Sequence, residues 1–165
     1  KFARRPKPEL ARLDLREQLR RLLEFLEPEL EMSGVALTAS FPDDAVWVQG
    51  DPNQLRQVFM NLVRNAQEAV VDPEREASGA PQVEVTMRCK PETVMVVVRD
   101  NGPGIDLPSK ALERIFEAFY TRKAQGTGLG LPIVQEILAD HGGSVRVSET
   151  GSAGTTFTVE IPAAP

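Results

Sequence analysis

Two asparagines and a glutamate recur at helical spacing in the middle of the sequence. Asn61, Asn65 and Glu68 are four and then three residues apart, so on a helix all three project from one stripe. A carboxamide oxygen on that stripe suits magnesium, a hard cation that prefers oxygen ligands and keeps most of its waters. The alternative is that both amides only tie down neighbouring loops, because an unpaired buried amide costs about 1–3 kcal/mol.

A second candidate site follows the valine run 96–98, at the end of a predicted strand. After Arg99 the chain reads Asp100-Asn101-Gly102-Pro103-Gly104, which extends neither a strand nor a helix. A carboxylate at a strand end can accept a hydrogen bond from an exocyclic amine such as that of adenine, and the two glycines let backbone pass close to a flat ring. An ordinary turn is the alternative, because Asp-Asn-Gly is among the commonest turn sequences.

A third candidate is the run Gly-Thr-Gly-Leu-Gly-Leu, residues 126–131, directly before the last predicted helix. Glycines there expose backbone N–H groups at a helix N-terminus, where the unpaired donors and the helix dipole favour an anion such as phosphate. The run is not GxGxxG, and the chain contains no Gly-Lys pair, so the dinucleotide fingerprint and the P-loop are both excluded. A flexible linker remains the alternative.

Between the two glycine segments, the sequence IFEAFYTRKAQ combines aromatic and basic residues. Phe116 and Phe119 are spaced to pack one side of a turn, and Arg122 and Lys123 follow in a stretch with few apolar anchors. A segment of this kind with a basic tip suits a lid over phosphates. A plain surface loop with two core-filling aromatics is the other interpretation.

Composition narrows the class of protein. The chain has 165 residues, enough for one domain with a substantial core, and 24 acidic against 19 basic residues give a net charge of -5. This balance predicts neither nucleic-acid binding nor direct membrane contact. A single cysteine, Cys89, and a single histidine exclude an internal disulfide and a Cys/His metal cluster, and no apolar run approaches membrane-helix length. We therefore expect this segment to be cytoplasmic. A membrane anchor elsewhere in the parent protein is compatible with that location.

Three helices and six strands position these residues. Leucines at helical spacing after Asp14 predict a first helix, Asp51 and Pro52 open a second, and a third spans 131–142, with the lone His141 as a capping residue at its end. We expect three hairpins, pairing 35–41 with 46–50, 82–88 with 93–100, and 144–149 with 155–162. The pattern predicts an α+β two-layer sandwich: a mixed, mostly antiparallel sheet with helices on one face.

In order, the motifs resemble those of the GHKL ATPase superfamily. The series Asn-x-x-x-Asn-Ala, DNGPGI, FEAFYTRK, GTGLGLPIV and GSAGTTFTVEIP is similar to its N, F and glycine-rich boxes, and within the superfamily to the catalytic ATP-binding domain of sensor histidine kinases. The resemblance runs from about Asp14 to Pro162 and implies the Bergerat fold with ATP and Mg²⁺ as cofactors. It also implies that residues 1–10 are the end of a preceding dimerisation helix or linker and that 11–165 form the catalytic domain.

The resemblance assigns roles to individual residues. It implies that Asn65 ligates magnesium, that Asn61 helps to hold the phosphates or a metal-bound water, that Asp100 binds the adenine amine and that Thr155 backs the adenine pocket. The implied catalytic set is Asn61, Arg122 and Lys123. The implied nucleotide-binding set is Asn61, Asn65, Asp100, Gly102, Gly104, Ile105, Phe119, Lys123, Gly126, Thr127, Gly128, Leu129, Gly130, Leu131 and Thr155.

Two positions at which this chain differs from related proteins refine the expected activity. Gyrase-like and Hsp90-like members carry a glutamate where this chain has Asn61, and an amide cannot accept a proton at neutral pH. Glu68 stands where many histidine kinases have a lysine, so phosphate contacts are expected from Lys123 or Arg122 instead. The resemblance thus implies transfer of the ATP γ-phosphoryl group to a histidine, with positioning and charge supplying most of the catalysis.

The implied partners are ATP and ADP, a histidine-bearing dimerisation domain of the same kinase and a downstream response regulator. No phosphoacceptor histidine motif occurs in the chain, so it is not expected to phosphorylate itself. Two alternatives stay open: a nucleotide-gated interaction module, and a GHKL-type ATPase without histidine phosphotransfer.

Overall fold

The computed structural model describes residues 6–71, 79–117 and 130–165. The elements in chain order are β1 (Ala11–Asp14), α1 (Leu15–Met32), β2 (Ala36–Ser40), β3 (Trp47–Gly50), α2 (Pro52–Val70), β4 (Gln82–Cys89), β5 (Thr93–Asp100), a 3₁₀ helix (Ser109–Phe116), α3 (Gly130–Asp140), β6 (Ser144–Gly151) and β7 (Gly154–Pro162).

A five-stranded sheet in the order β2-β4-β5-β7-β6 forms one layer. Strand β2 pairs parallel with β4, whereas β4–β5, β5–β7 and β6–β7 are antiparallel. Side chains alternate across β5, where Val94, Val96 and Val98 are buried and the residues between them are only half-buried. The predicted α+β sandwich, with a mixed, mostly antiparallel sheet and helices on one face, is confirmed.

The helices cover the sheet with apolar stripes at helical spacing. Helix α2 buries Leu55, Val58, Phe59, Leu62, Val63, Ala66 and Val70, and α1 buries its six leucines Leu15, Leu19, Leu22, Leu23, Leu26 and Leu30. Each buried leucine contributes on the order of 1.5–3 kcal/mol through the hydrophobic effect. The face of α2 beside this stripe carries the asparagines that sequence analysis selected.

The predicted hairpin of 35–41 with 46–50 is wrong. Strand β3 pairs antiparallel with β1, with Ala11 opposite Gly50, and β2 instead pairs parallel with β4. The start of α1 holds the chain just before β3, because the Asp14 carboxylate accepts from the Val46 N–H and the Leu15 N–H donates to the Val46 carbonyl. Two neighbouring strand-like runs indicate strands but do not specify their partners, and the short β1 was not predicted at all.

A cluster of three residues, here called the linker junction, joins the chain before β1 to α2 and α3. It comprises Glu9, Asp51 and His141. The Asp51 carboxylate caps α2 by accepting from backbone N–H groups of its first turn, and it also accepts from the Glu9 N–H at 2.9 Å. His141 Nε2 accepts from the Asp51 N–H at 3.0 Å, so Nδ1 carries the proton that it donates to the Ile137 carbonyl at 2.8 Å. His141 is therefore a structural residue at the end of α3.

The linker junction makes stability depend on pH through Asp51. Hydrogen bonds from the backbone N–H of Glu9, and then from the first turn of α2, lower the pKa of this carboxyl group from its ordinary value. A lowered pKa contributes stability above the unfolded-state pKa of about 4, and that contribution is lost as the pH falls through the folded-state pKa.

We therefore expect Asp51→Asn to flatten the acid limb of the stability curve. The free energy of unfolding, from urea titrations between about pH 5 and pH 3, should fall less steeply in the variant than in the parent chain. The amide oxygen can still cap α2, so both chains should remain folded near neutral pH. Parallel pH profiles would contradict the assignment.

Candidate functional site

The site is organised around a carboxylate at the end of β5. Asp100 is only 3% exposed, and its Oδ1 accepts from the Gly102 N–H at 2.8 Å and from the Thr155 N–H at 3.3 Å. Thr155 lies opposite Asp100 in the β5–β7 ladder and is itself buried. Both donors bind the same carboxylate oxygen, which can accept more than one hydrogen bond, and together they fix the orientation of the carboxylate at the end of β5.

Two glycines allow the backbone around this carboxylate to pack as closely as it does. A Cβ at Gly154, where φ is +123°, would overlap the Asp100 carbonyl oxygen. A Cβ at Gly104, where φ is +86°, would overlap the Gly151 carbonyl oxygen. Side chains are disfavoured at such positive φ and cannot be accommodated at these distances, so both positions require glycine.

Two hydrogen-bonding side chains hold the loop that follows β5. Asn101 accepts from the Gln82 N–H and donates to the Ala80 carbonyl, both at 2.9 Å, which fixes the start of β4 against the loop. Thr150 on β6 accepts from the Ile105 N–H at 2.8 Å. Neither residue could be assigned a role from the sequence, because the contacts of both depend on strand pairings and register.

Helix α2, which carries the asparagine stripe, contacts both the start of α3 and the loop after β5. Asn61 and Asn65 are half-buried and Glu68 is exposed. The Asn61 side-chain N–H donates to the carbonyl of Gly130, the first residue of α3, at 3.3 Å. The last turn of α2 packs on the loop after β5, since a Cβ at Gly102 would lie 2.9 Å from the Ala69 carbonyl oxygen.

The structure thus brings together three of the predicted motifs. The helix that carries the asparagine stripe packs through its last turn on the loop from Asp100 to Ile105, and Asp100 is hydrogen-bonded to the start of β7 at Thr155. Gly130 and Leu131 lie in the first turn of α3, where the Gly130 carbonyl accepts from the Asn61 side chain. The remaining predicted contacts lie outside the described residues and stay predictions: Phe119, Arg122, Lys123, Gly126, Thr127, Gly128 and Leu129.

Two further properties concern the described ranges 6–71, 79–117 and 130–165. None of their helices combines the length and the hydropathy needed to cross a membrane. The same ranges contain no group of three or more histidine, cysteine, aspartate or glutamate side chains placed to hold a metal ion.

Comparison with known proteins agrees with this geometry. The family described as histidine kinase-, DNA gyrase B- and HSP90-like ATPase matches residues 50–165. Sporulation kinase A of Bacillus subtilis is 35% identical over 150 residues, which cover 91% of this chain and 23% of that protein. The chain therefore spans about a quarter of the length of this curated relative.

Solved structures share the fold. The nucleotide-free catalytic domain of histidine kinase ThkA superposes with a TM-score of 0.79 at 31% identity, covering 93% of this chain and 95% of that one. ThkA has also been solved in complex with the response regulator protein TrrA, with a TM-score of 0.76, 27% identity and coverage of 96% and 43%. Full-length ShkA in complex with AMPPNP gives a TM-score of 0.79 at 31% identity, covering 98% of this chain and 33% of ShkA.

The chain belongs to the family of histidine kinase-, DNA gyrase B- and HSP90-like ATPases. Within that family it is a catalytic ATP-binding domain of the histidine kinase type, as its resemblance to this class implied.

The close approach of the loop to β6 leads to a stability prediction. Gly104→Ala should lower the free energy of unfolding by more than the roughly 1–2 kcal/mol that a positive φ alone costs, because its Cβ also overlaps the Gly151 carbonyl oxygen. Gly34→Ala is the matched control, since Gly34 has φ +78° but no atom lies within 4 Å of the place its Cβ would occupy. Urea denaturation measures both, and equal losses would contradict the packing described here.

Proposed function

We propose that this domain binds ATP with magnesium and transfers the γ-phosphoryl group to a histidine on a separate dimerisation domain of its own kinase. The observation that carries the proposal is the buried, fixed carboxylate of Asp100, followed by a loop that packs on the last turn of the helix carrying Asn61 and Asn65. An acceptor for a base amine and oxygen donors for a metal are the two ends that an ATP site requires.

At the adenine end, Asp100 would accept a hydrogen bond from the exocyclic amine. Its Oδ1 already accepts from two backbone N–H groups, so the carboxylate is oriented before the base arrives. Gly102, Gly104 and Ile105 would form the wall beside the ring, and Thr155 would back it. A preorganised acceptor of this kind loses little entropy on binding, which favours affinity.

At the phosphate end, Asn65 would contribute a carboxamide oxygen to magnesium. Magnesium suits such a site because it takes few protein ligands and uses waters and substrate phosphates for the rest. When bound, it would supply positive charge to the phosphate oxygens during transfer. Asn61, held near the start of α3 by its bond to the Gly130 carbonyl, would position the phosphates from the turn of α2 that precedes Asn65.

The lid and the glycine run complete the proposed site. Gly126, Thr127, Gly128, Leu129, Gly130 and Leu131 would border the phosphates, where backbone N–H groups before a helix favour an anion. Phe119 would close over the nucleotide, and Arg122 or Lys123 would contact the γ-phosphate.

Asn61 favours phosphotransfer over hydrolysis. A carboxamide cannot act as a general base, so this position offers no means of activating a water molecule. A histidine brought by another domain is itself a nucleophile and needs less activation. A nucleotide-gated interaction module is the second candidate, and a GHKL-type ATPase without histidine phosphotransfer is the third.

The proposed partners follow from the relatives. The complex of ThkA with the response regulator protein TrrA supports a response regulator as the downstream partner, and the AMPPNP complex of ShkA supports ATP as the nucleotide. Residues 1–10 would lead from the dimerisation domain, with the linker junction attaching them to α2, and 11–165 would form the catalytic domain in the cytoplasm.

Mixing the chain with γ-labelled ATP and the separately prepared dimerisation domain of the same kinase tests the proposed activity. We expect magnesium-dependent label on that domain with the acid lability of phosphohistidine, and none on the chain alone. Tight ATP binding without label would favour the interaction module. Rapid release of labelled phosphate to water would favour an ATPase.

Adenine recognition can be tested with Asp100→Asn. The amide keeps an oxygen for the backbone donors but presents an NH₂ group to the adenine amine, so we expect ATP affinity to fall about 10- to 100-fold, the loss expected for a hydrogen bond to a charged acceptor. Calorimetric titration measures the affinity, and a urea titration checks that the variant is folded. Asp106→Asn is the matched control, because Asp106 is an exposed carboxylate of the same loop. Equal affinities for all three chains would remove Asp100 from the site.

A further inference from the structure

Strand β6 contains a bulge beside the proposed adenine site. Val147 pairs with Phe157 and Glu149 pairs with Thr156, so Ser148 is an extra residue on β6. The Ser148 hydroxyl donates to the Thr156 carbonyl at 3.2 Å and accepts from the Thr158 hydroxyl at 2.8 Å. These bonds hold the extra residue in place, and bulges of this kind often redirect side chains near functional sites.

The bulge decides which β6 side chain faces the site. Side chains alternate along a strand, so a shift of one residue exchanges the two faces. With the bulge, Thr150 lies opposite Thr155 and the exposed Glu149 lies opposite Thr156. Without it, regular pairing from Val147 onward would put Glu149 opposite Thr155, and a second carboxylate would then lie two strands away from Asp100 on the same face of the sheet. The bulge replaces that carboxylate by a neutral hydroxyl.

The Thr150 hydroxyl joins two parts of the site. It accepts from the Ile105 N–H at 2.8 Å, which attaches the loop after β5 to β6. It also shares a hydrogen bond of 2.9 Å with the Thr155 hydroxyl. Because Thr155 in turn donates its backbone N–H to Asp100, a continuous set of hydrogen bonds runs from the loop to the carboxylate.

We propose that Thr150 is a positioning residue that sets the preference of this site for adenine over guanine. The inference rests on the proposed ATP-binding function. Thr150 makes no contact with the base and acts by orienting the Thr155 hydroxyl and the loop at Ile105.

The chemistry of the two purines explains why an oriented hydroxyl matters. Adenine offers an amine donor at C6 and an acceptor at N1, whereas guanine offers an oxygen acceptor at C6 and a donor at N1. Asp100 only accepts, so it suits the adenine amine and repels the guanine oxygen. When Thr150 donates its proton to Thr155, the proton of Thr155 is available for N1 of adenine, directly or through a water. The same proton would oppose the N1–H of guanine.

The test compares Thr150→Val, which removes the hydroxyl at nearly constant volume, with Thr150→Ser, which keeps it. Calorimetry gives dissociation constants for ATP, for GTP and for inorganic triphosphate, which has no base. We expect Thr150→Val to weaken ATP binding about tenfold, the loss of one hydrogen bond, with GTP and triphosphate affinities nearly unchanged. Thr150→Ser should restore the parent ratio of ATP to GTP affinity. Thr156→Val, which alters a hydroxyl on the opposite face of β7, should leave that ratio unchanged.

Three outcomes would overturn the inference. They are an unchanged ATP-to-GTP ratio in Thr150→Val, an equal loss for all three ligands, and failure of Thr150→Ser to restore the ratio. Should Thr150→Val not fold in urea titrations, Thr150→Ala provides the hydroxyl-free comparison. Failure of the parent chain to bind ATP at millimolar concentration is a separate result that overturns the proposed function itself.

Discussion

The contact on which the site depends is the pair of hydrogen bonds between Asp100 Oδ1 and two backbone N–H groups, from Gly102 and Thr155. A carboxylate that is 3% exposed is costly unless it is hydrogen-bonded, because burial disfavours the charged form. These two donors compensate part of that cost and keep the group in one orientation. The same bonds join the end of β5 to the start of β7 and so hold the ends of these two interior strands together.

Packing of α2 on the sheet places the helix beside this end of β5. The apolar stripe of α2 packs on the sheet, which places the last turn of the helix against Gly102 at the carbonyl of Ala69. At the middle of the helix, Asn61 reaches the first residue of α3, and at its start Asp51 contacts His141 near the end of α3. Helix α3 is therefore joined at both of its ends to α2, at the start and at the middle of α2, and these contacts fix the position of Asn61 relative to α3.

Much of the fold could be predicted because it follows from local patterns. The capping residue Asp51 with Pro52 marked the start of α2, and the short connections in β4–β5 and β6–β7 left each strand little choice of partner. Pairing between distant segments could not be predicted in this way. Strand β2 joins β4 and β3 joins β1, although β2 and β3 are neighbours in sequence. Asp100 was selected because it follows a strand-like run and the asparagines because they recur at helical spacing, and the order of the motifs along the chain then implied their roles. Thr150 was missed because strand alternation alone does not reveal the bulge at Ser148 that turns it toward Thr155.

The parallel pairing of β2 with β4 has a consequence for how the chain folds. Strands β4 and β5 are joined by a short loop and can associate early. Pairing of β2 with β4 instead closes the long segment between Ser40 and Gln82, which contains α2. Closing so long a loop costs conformational entropy, and the hydrogen bonds between β2 and β4 offset that cost only after the loop has closed. Strand β2 is an edge strand with one neighbour, and we expect it to join the sheet last during folding. Its amide hydrogens are expected to exchange with solvent faster than those of the central strand β5.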